Sequence, residues 1–376
     1  MEKSSKKIAL ISVFYPFRGG IAQFNANIYS GLLKLGHDVE VFNFSRQYPS
    51  ILFPGKTQFI AEEDNAEEIP SQRIIDSIAP LSYKKTVKKV LEFNPDMVVI
   101  GYWMPFMGPS LGYISGKLLK QNKNVVTIVH NALPHEKSRL DKVLSDYFFK
   151  RSKKIIALSQ TVEKQIKLAY PNLETTTLRH PAYEHFGTLL NRKEALLELN
   201  LPESPNYLLF FGLIRGYKGL DVLLQSIALL PSNYQVIVAG EVYGSFKQYE
   251  KIIKENQLEK RVHLFNNYIP DQQVKLFFSV AECCVLPYKS ATQSGIVAIA
   301  QHFGVPVIAS KVGGLHEFIE DGKTGRLVEP VTPQKFSEVI KEFAIPEKLN
   351  NARTILAQKN HSISWSDFCE NMIAFG

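Results

Sequence analysis

The feature that most constrains this chain is a rhythm. Short runs of Val, Ile, Leu and Phe alternate with stretches that carry the 3.6-residue apolar repeat of helices, and the alternation runs through the sequence twice. In the first half the spacing predicts strands over 8–13, 38–44, 97–102, 125–130 and 155–159, with helices over 22–35, 82–93 and 140–151. In the second half it predicts strands over 207–212, 235–240, 262–265, 283–288, 305–310 and 325–329, with helices over 220–230, 246–256, 270–280 and 295–303. Strands that are apolar on both faces, each followed by a helix, fit parallel sheets covered on both sides. Between Tyr170 and Pro205 the strand signals lapse, and Arg179-His180-Pro181-Ala182 reads as loop. The expected fold is therefore α/β, with two doubly wound domains rather than one large sheet. The length agrees: 376 residues exceed the roughly 150 of an ordinary domain. The halves are not repeats of each other. In such sheets ligands bind beyond the carboxyl ends of the strands, so the loops that follow strands carry the candidates.

Composition removes several classes. Hydrophobic residues make up 45% and charged residues 21%, which suits a globular chain and not a disordered one. No apolar run reaches the ~18–20 residues of a spanning helix. Lys6-Lys7 followed by 8–14 imitates a secretory leader, but the apolar run is short and Tyr15-Pro16-Phe17-Arg18 supplies no small-residue cleavage site. It is expected to be a buried first strand. Three cysteines, two of them adjacent, give neither a disulfide framework nor metal-ligand spacing and fit a reducing, cytoplasmic setting. A net charge of +8 suggests anionic partners such as phosphates or an anionic membrane face. No nucleic-acid recognition motif accompanies it.

The stretch richest in chemistry is Phe210-Phe211-Gly212-Leu213-Ile214-Arg215-Gly216-Tyr217-Lys218-Gly219-Leu220-Asp221. A buried strand ends at Gly212, a loop delivers Arg215 and Lys218, and a helix starts near Leu220. Glycines admit a ligand close to the backbone, and two cations beside a helix N-terminus make a site for a phosphate or diphosphate. Other candidates follow strands in the same way. His130 ends the fourth strand of the first half, and Ser290-Ala291-Thr292-Gln293-Ser294-Gly295 reads as a loop and polar helix start. Residues 46–79 lack a clear strand. Their aromatic, Pro-rich part (Gln47-Tyr48-Pro49, Phe53-Pro54-Gly55-Lys56) suits an ordered loop over a cleft, and the acidic run 62–68 suits a solvated surface. Lys84, Lys85, Lys88 and Lys89 lie on one predicted helix with Leu81, Val87, Val90 and Leu91 apolar. That pattern fits a solvated face or a helix resting on anionic lipid. Lys150, Arg151, Lys153 and Lys154 form a second basic cluster.

The segment 210–221 resembles the donor-phosphate loop of the GT-B glycosyltransferases, retaining family-4 type. The order and spacing of other segments agree over roughly 7–370: Phe14-Tyr15-Pro16-Phe17-Arg18-Gly19-Gly20, Val129-His130-Asn131, Ile156-Ala157-Leu158-Ser159, Val285-Leu286-Pro287-Tyr288, and Gly304-Val305-Pro306 through Gly313-Gly314-Leu315-His316-Glu317. The resemblance implies two Rossmann-like domains facing a cleft. An acceptor-side domain would span 1–182, a nucleotide-sugar domain 183–356, and a last helix of about 357–376 would cross back to the first. It implies transfer of a sugar, with retention, from a UDP- or GDP-sugar to a saccharide or lipid-linked acceptor in cell-surface glycan synthesis. Arg215 and Lys218 would hold the diphosphate, and Gly19 and Gly20 would approach it from the first domain. His130 would lie near the transferred sugar, bonding a hydroxyl or assisting at the reaction centre. Arg215, Lys218 and His130 form the expected catalytic set, with Gly19, Gly20, Gly212, Thr292, Gln293, Ser294, Gly295 and Glu317 on the donor side. Arg46, Trp103 and His135 are the acceptor-side candidates, with Glu136 beside His135. No cofactor or metal is expected, since no Asp-x-Asp motif is present. The expected location is cytoplasmic, with a peripheral contact at the inner membrane face.

One departure is clear. The family carries a Glu-x7-Glu pair before the Gly304-Val305-Pro306 segment, yet these positions fall on Ala291 and Ile299, and 283–316 contains no Asp or Glu. Gln293 and Ser294 are candidates to take over hydroxyl contacts, and Glu317 is the nearest carboxylate left for a ribose diol. An inverting enzyme on the same fold would need a base such as His130 or His135. A non-catalytic nucleotide-sugar-binding protein is the remaining alternative. A nicotinamide or flavin oxidoreductase is disfavoured, because the first turn lacks G-x-G-x-x-G and the second strand ends Asn43-Phe44-Ser45.

Overall fold

The computed structural model describes residues 5–49, 58–60, 68–131, 139–181, 186–291, 294–359 and 364–376. Packing divides the chain into two compact units, Met1–Pro181 with Ile363–Gly376, and Ala182–Ser362. The helix expected over 357–376 begins later than the sequence suggests. Residues 346–359 form a helix of the second unit, and only Trp365–Phe375 is helical in the first.

The first unit holds β1 (Lys7–Ile11), β2 (Asp38–Arg46), β3 (Gln72–Asp76), β4 (Met97–Tyr102), β5 (Val125–Val129), β6 (Lys154–Ala157) and β7 (Glu174–Thr177) in one sheet, ordered β3-β2-β1-β4-β5-β6-β7. The second holds β8 (Asn206–Phe211), β9 (Tyr234–Ala239), β10 (Val262–Phe265), β11 (Ala281–Leu286), β12 (Val307–Ser310) and β13 (Gly325–Val328), ordered β10-β9-β8-β11-β12-β13. Every pairing in both sheets is parallel. These are the two doubly wound sheets that the rhythm predicts. Their strand order reverses between β1 and β4 and between β8 and β11, the switch points where such folds open a crevice.

The helices of the first unit are α1 (Gly20–Lys34), α2 (Pro80–Phe93), α3 (Gly108–Leu119), α4 (Arg139–Phe149) and α5 (Gln160–Ala169). Those of the second are α6 (Arg192–Glu198), α7 (Leu220–Ala228), α8 (Lys247–Glu255), α9 (Asp271–Val280), α10 (Gly295–His302), α11 (Pro333–Phe343) and α12 (Pro346–Lys359). The last helix, α13 (Trp365–Phe375), belongs to the first unit and lies on α1. Gly31 permits that approach: a Cβ there would stand 2.9 Å from Cys369 Sγ and 3.2 Å from the Trp365 carbonyl oxygen. Ser364 caps α13 reciprocally with Asp367.

Each unit has its own core. Ile11, Phe42, Ile100 and Val129 are buried in the first, and Phe210, Val238, Val285 and Ile308 in the second. Burying each such side chain stabilises by about 1.5–3 kcal/mol. Cys283 and Cys284 are both buried, one on each face of a sheet covered on both sides. On α2 the apolar stripe holds at Val87, Val90 and Leu91 and differs from expectation at Leu81. Tyr83, Thr86 and Val90 are buried, whereas Leu81 is 78% exposed. At about 100° per residue, Leu81 lies roughly 200° from Tyr83 and falls off the stripe.

Candidate active site

The second unit gathers its candidates at the β8/β11 switch. β8 ends at Phe211, and Gly212 takes φ +91°. A Cβ there would lie 3.0 Å from Ile296 Cδ1 and 3.3 Å from Lys218 Nζ, so the missing side chain makes room for the ammonium. The loop runs through Arg215 into a tight turn, Gly216–Lys218, closed by Gly219 at φ +71°. A Cβ on Gly219 would stand 1.9 Å from the Pro287 carbonyl oxygen, so the loops after β8 and β11 meet where only glycine fits.

The two cations differ. Arg215 is exposed, with its guanidinium 4.5 Å from the Tyr243 ring centre. Lys218 is half-buried as a residue, but its ammonium end is turned inward, with Nζ 5.6 Å from the Tyr288 ring centre. Burial of that end, with a smaller push from the Arg215 charge, lowers its pKa to about 8. Among the described residues no carboxylate pairs with Lys218; the nearby Asp221 is taken by Lys289 at 2.7 Å. An inward-facing cation with no counter-charge is poised for an anionic ligand.

α10 starts beside this loop. Ser294 is its N-cap but makes no side-chain cap bond, lying 3.5 Å from the Tyr288 hydroxyl, and the first turn from Gly295 holds no acid. Thr292 and Gln293 lie outside the described residues. Glu317 stands in a short turn after β12, partly buried. That turn backs onto the loop after β11, since a Cβ on Gly313 would fall 1.5 Å from the Ala291 carbonyl oxygen. Glu241 is not among the sequence candidates. It is 6% exposed and directly follows β9 and Gly240, and its carbonyl accepts from Ile214 N at 2.8 Å. The available signal is an acid placed after Gly240 at the end of an apolar strand.

In the first unit, Gly19 is the N-cap of α1 at φ +111°, and Gly20 opens the helix, whose first turn has no acid. Asn43 fixes the preceding loop. Its side-chain oxygen accepts from Phe14 N at 3.1 Å, and its amide donates to the Tyr15 carbonyl at 2.7 Å. His130 follows β5, 4% exposed, and its Nε2 is buried without a hydrogen-bond partner among the described residues. Such an orphan costs about 1–3 kcal/mol, a cost that a ligand bond would recover. Burial, with the nearby His180, pushes the His130 pKa down to about 3. The ring is therefore neutral at physiological pH.

The acceptor-side candidates are scattered. The Arg46 guanidinium grips the Asp76 carboxylate across the β2–β3 register. Trp103 is buried in the core and donates its indole N–H to the Tyr48 hydroxyl at 2.9 Å. His135, with Glu136, lies outside the described residues, as do Phe53-Pro54-Gly55-Lys56 and the acidic run except Glu68. No cluster of three or more His, Cys, Asp or Glu side chains suited to a metal ion occurs among the described residues.

Two family models match the chain: Glycosyltransferase Family 4 over 18–175 and Glycosyl transferases group 1 over 191–359. The solved structure of HepE from Anabaena, in complex with UDP-glucose, superimposes with a TM-score of 0.75 at 16% identity, covering 98% of this chain and 99% of that one. The two models together cover most of the chain, and its fold is that of the GT-B glycosyltransferases. The GT-B chain is 27% identical over 233 residues to D-inositol 3-phosphate glycosyltransferase 1 of Catenulispora acidiphila, a stretch that is 58% of this chain and 53% of that protein. The match thus spans about half the length of that relative. The chain is also 25% identical over 353 residues to an uncharacterized glycosyltransferase of Methanocaldococcus jannaschii, covering 91% of this chain and 90% of that one. Within the GT-B framework, the residues of the second unit's switch point come together in one place. In the first unit Gly19 and Gly20 follow β1, and His130 follows β5.

Proposed function

We propose that this chain transfers a sugar from a UDP- or GDP-sugar to a hydroxyl of a saccharide or lipid-linked acceptor, with retention and without a divalent metal. The observation that carries this is Lys218: an inward-facing ammonium with no carboxylate partner among the described residues, beside Arg215, at the switch point of the second sheet. The HepE complex with UDP-glucose shares the fold and supports the donor class.

The chemistry follows from charge. As the anomeric C–O bond breaks, its electron pair goes to the leaving diphosphate, which gains negative charge. Lys218, Arg215 and the N–H groups opening α10 stabilise that charge more in the transition state than in the ground state. The acceptor hydroxyl forms the new bond on the same face of the sugar, and its proton passes to the departing phosphate oxygen. His130 suits a neutral hydrogen bond to the sugar. A histidine pushed down to about 3 is too weak a base to take an acceptor proton near neutral pH, which favours retention over an inverting role for this residue. The test is release of UDP or GDP from a panel of nucleotide sugars with EDTA present. Turnover with one donor supports the proposal, and no turnover with any donor in the presence of saccharide and lipid-linked acceptors would overturn it.

A peripheral contact with anionic membrane is part of the same proposal. Leu81 projects from the first turn of α2, with Lys84, Lys85 and Lys88 exposed on the same helix. Each cation near an anionic surface contributes on the order of 1 kcal/mol. Co-sedimentation with phosphatidylglycerol-containing vesicles should exceed that with phosphatidylcholine alone, and fall at least about tenfold in the triple Lys84, Lys85, Lys88→Glu variant. Equal binding to both vesicle types would remove the membrane contact and leave a solvated face.

A further inference from the structure

We propose that His180 is a positioning residue for His130 and acts through the ring of Phe24. The inference deepens the role proposed above for His130 and rests on that reading.

A functional histidine is usually held in one orientation by a hydrogen bond at the ring nitrogen it does not use. Among the described residues the His130 ring makes no side-chain hydrogen bond, at its buried Nε2 or elsewhere, so packing orients the ring. Phe24 of α1 meets it edge-on, with centroids 4.8 Å apart and planes at 82°. The same phenyl ring is met by His180 at 4.8 Å and 61°, by Trp365 at 5.2 Å and 74°, and by Phe368 at 5.6 Å and 86°. His180 and Trp365 also touch, at 5.5 Å. Edge-to-face pairs of this kind have a preferred geometry, not merely a preferred distance.

His180 is itself tethered. Its Nδ1 lies 2.5 Å from the Pro181 carbonyl oxygen. A carbonyl only accepts, so Nδ1 carries the proton and the tautomer is set. Orientation is thus passed from the Pro181 carbonyl to His180, then to Phe24, then to His130. An apolar residue at 180 would fill the same space without the tether. The place in the chain adds meaning. The chain leaves the first unit after Pro181 and re-enters it at Ile363, so both crossings anchor on the ring that orients His130. His180 is also the titratable neighbour whose field His130 feels, and burial disfavours charge on both rings.

The test uses the full-length chain labelled with 15N-histidine. The His130 imidazole signals are assigned with His130→Gln and followed from about pH 5.5 to 8 in the wild type, His180→Phe and His180→Ala. Wild-type His130 should show one neutral tautomer with no titration. His180→Phe keeps a ring against Phe24 but loses the tether, and should shift the His130 signals while the protein stays folded. In His180→Ala, His130 should average between tautomers or begin to titrate. The thermal shift given by UDP or GDP, whichever binds, should be the same in all three proteins, because the proposed diphosphate site lies in the second unit; no shift with either nucleotide in the wild type would count against the donor reading and not against this one. His130 signals identical in all three proteins, whatever the change in melting temperature, would reduce His180 to packing and overturn the proposal. A wild-type His130 that titrates near its ordinary pKa would overturn it as well.

Discussion

Lys218→Ala is expected to lower kcat/KM for the true nucleotide sugar by about 10²–10³-fold, the range seen when one preorganised group facing developing charge is removed. The size of the effect follows from the site. The Lys218 ammonium is turned inward, has no carboxylate beside it among the described residues, and occupies space that Gly212 leaves open. Most of the loss should appear in kcat, because the charge on the diphosphate grows as the bond breaks. Arg215→Ala should cost less, since that guanidinium is exposed and already rests on Tyr243. Steady-state kinetics on both variants checks the order. Equal, small losses would mean that the diphosphate is held elsewhere.

Affinity for the nucleoside diphosphate should fall as pH rises above about 8. In the free protein Lys218 loses its proton near that value. Below it the ammonium is present and binds the diphosphate directly. Above it, binding must first recruit a proton, which costs about tenfold per pH unit. From about pH 7 to pH 9 the expected loss is about tenfold. The phosphate does not confound this, because its second ionisation, near pKa ~6, is complete by then. Lys218→Arg should flatten the profile, since a guanidinium keeps its charge. The stability effect has the opposite sign. The folded-state pKa lies below the ordinary value of 10.5, so the unfolded chain binds more protons between about 8 and 10.5, and this group's contribution to stability rises with pH across that window. A profile for UDP affinity that stays flat from about pH 7 to 9 in the wild type would show that Lys218 does not meet the ligand.

The central strands are legible because a strand covered on both faces leaves a nearly unbroken apolar run. β4 opens Met97-Val98-Val99-Ile100, and all four side chains are buried. The edge strands of the first sheet are not legible, whereas β10 and β13 at the edges of the second are. β3 reads Gln-Arg-Ile-Ile-Asp and buries little beyond Ile75, and β7 reads Glu-Thr-Thr-Thr, with Thr175 and Thr177 donating to the Glu163 carboxylate at 2.9 and 2.6 Å. An edge strand has one neighbour and a wetter face, so its sequence carries a weaker pattern.

The site is legible where it is local. Gly212, Arg215, Lys218 and Gly219 are close in sequence, and a strand, loop and helix start bring them together without help from distant residues. Properties set by remote neighbours are not. The orphaned Nε2 of His130 depends on burial, and its ring contacts join α1 to residues 180 and 365. Arg46 is an acceptor-side candidate from the sequence, but the parallel register places Asp76 opposite it.

The most direct test of the central claim is calorimetric titration of UDP and GDP, with EDTA present, into the wild type and Lys218→Ala. The account predicts saturable one-to-one binding of one of them to the wild type, weakened at least about tenfold by the substitution. No binding of either nucleotide, or equal affinity in the folded variant, would contradict it.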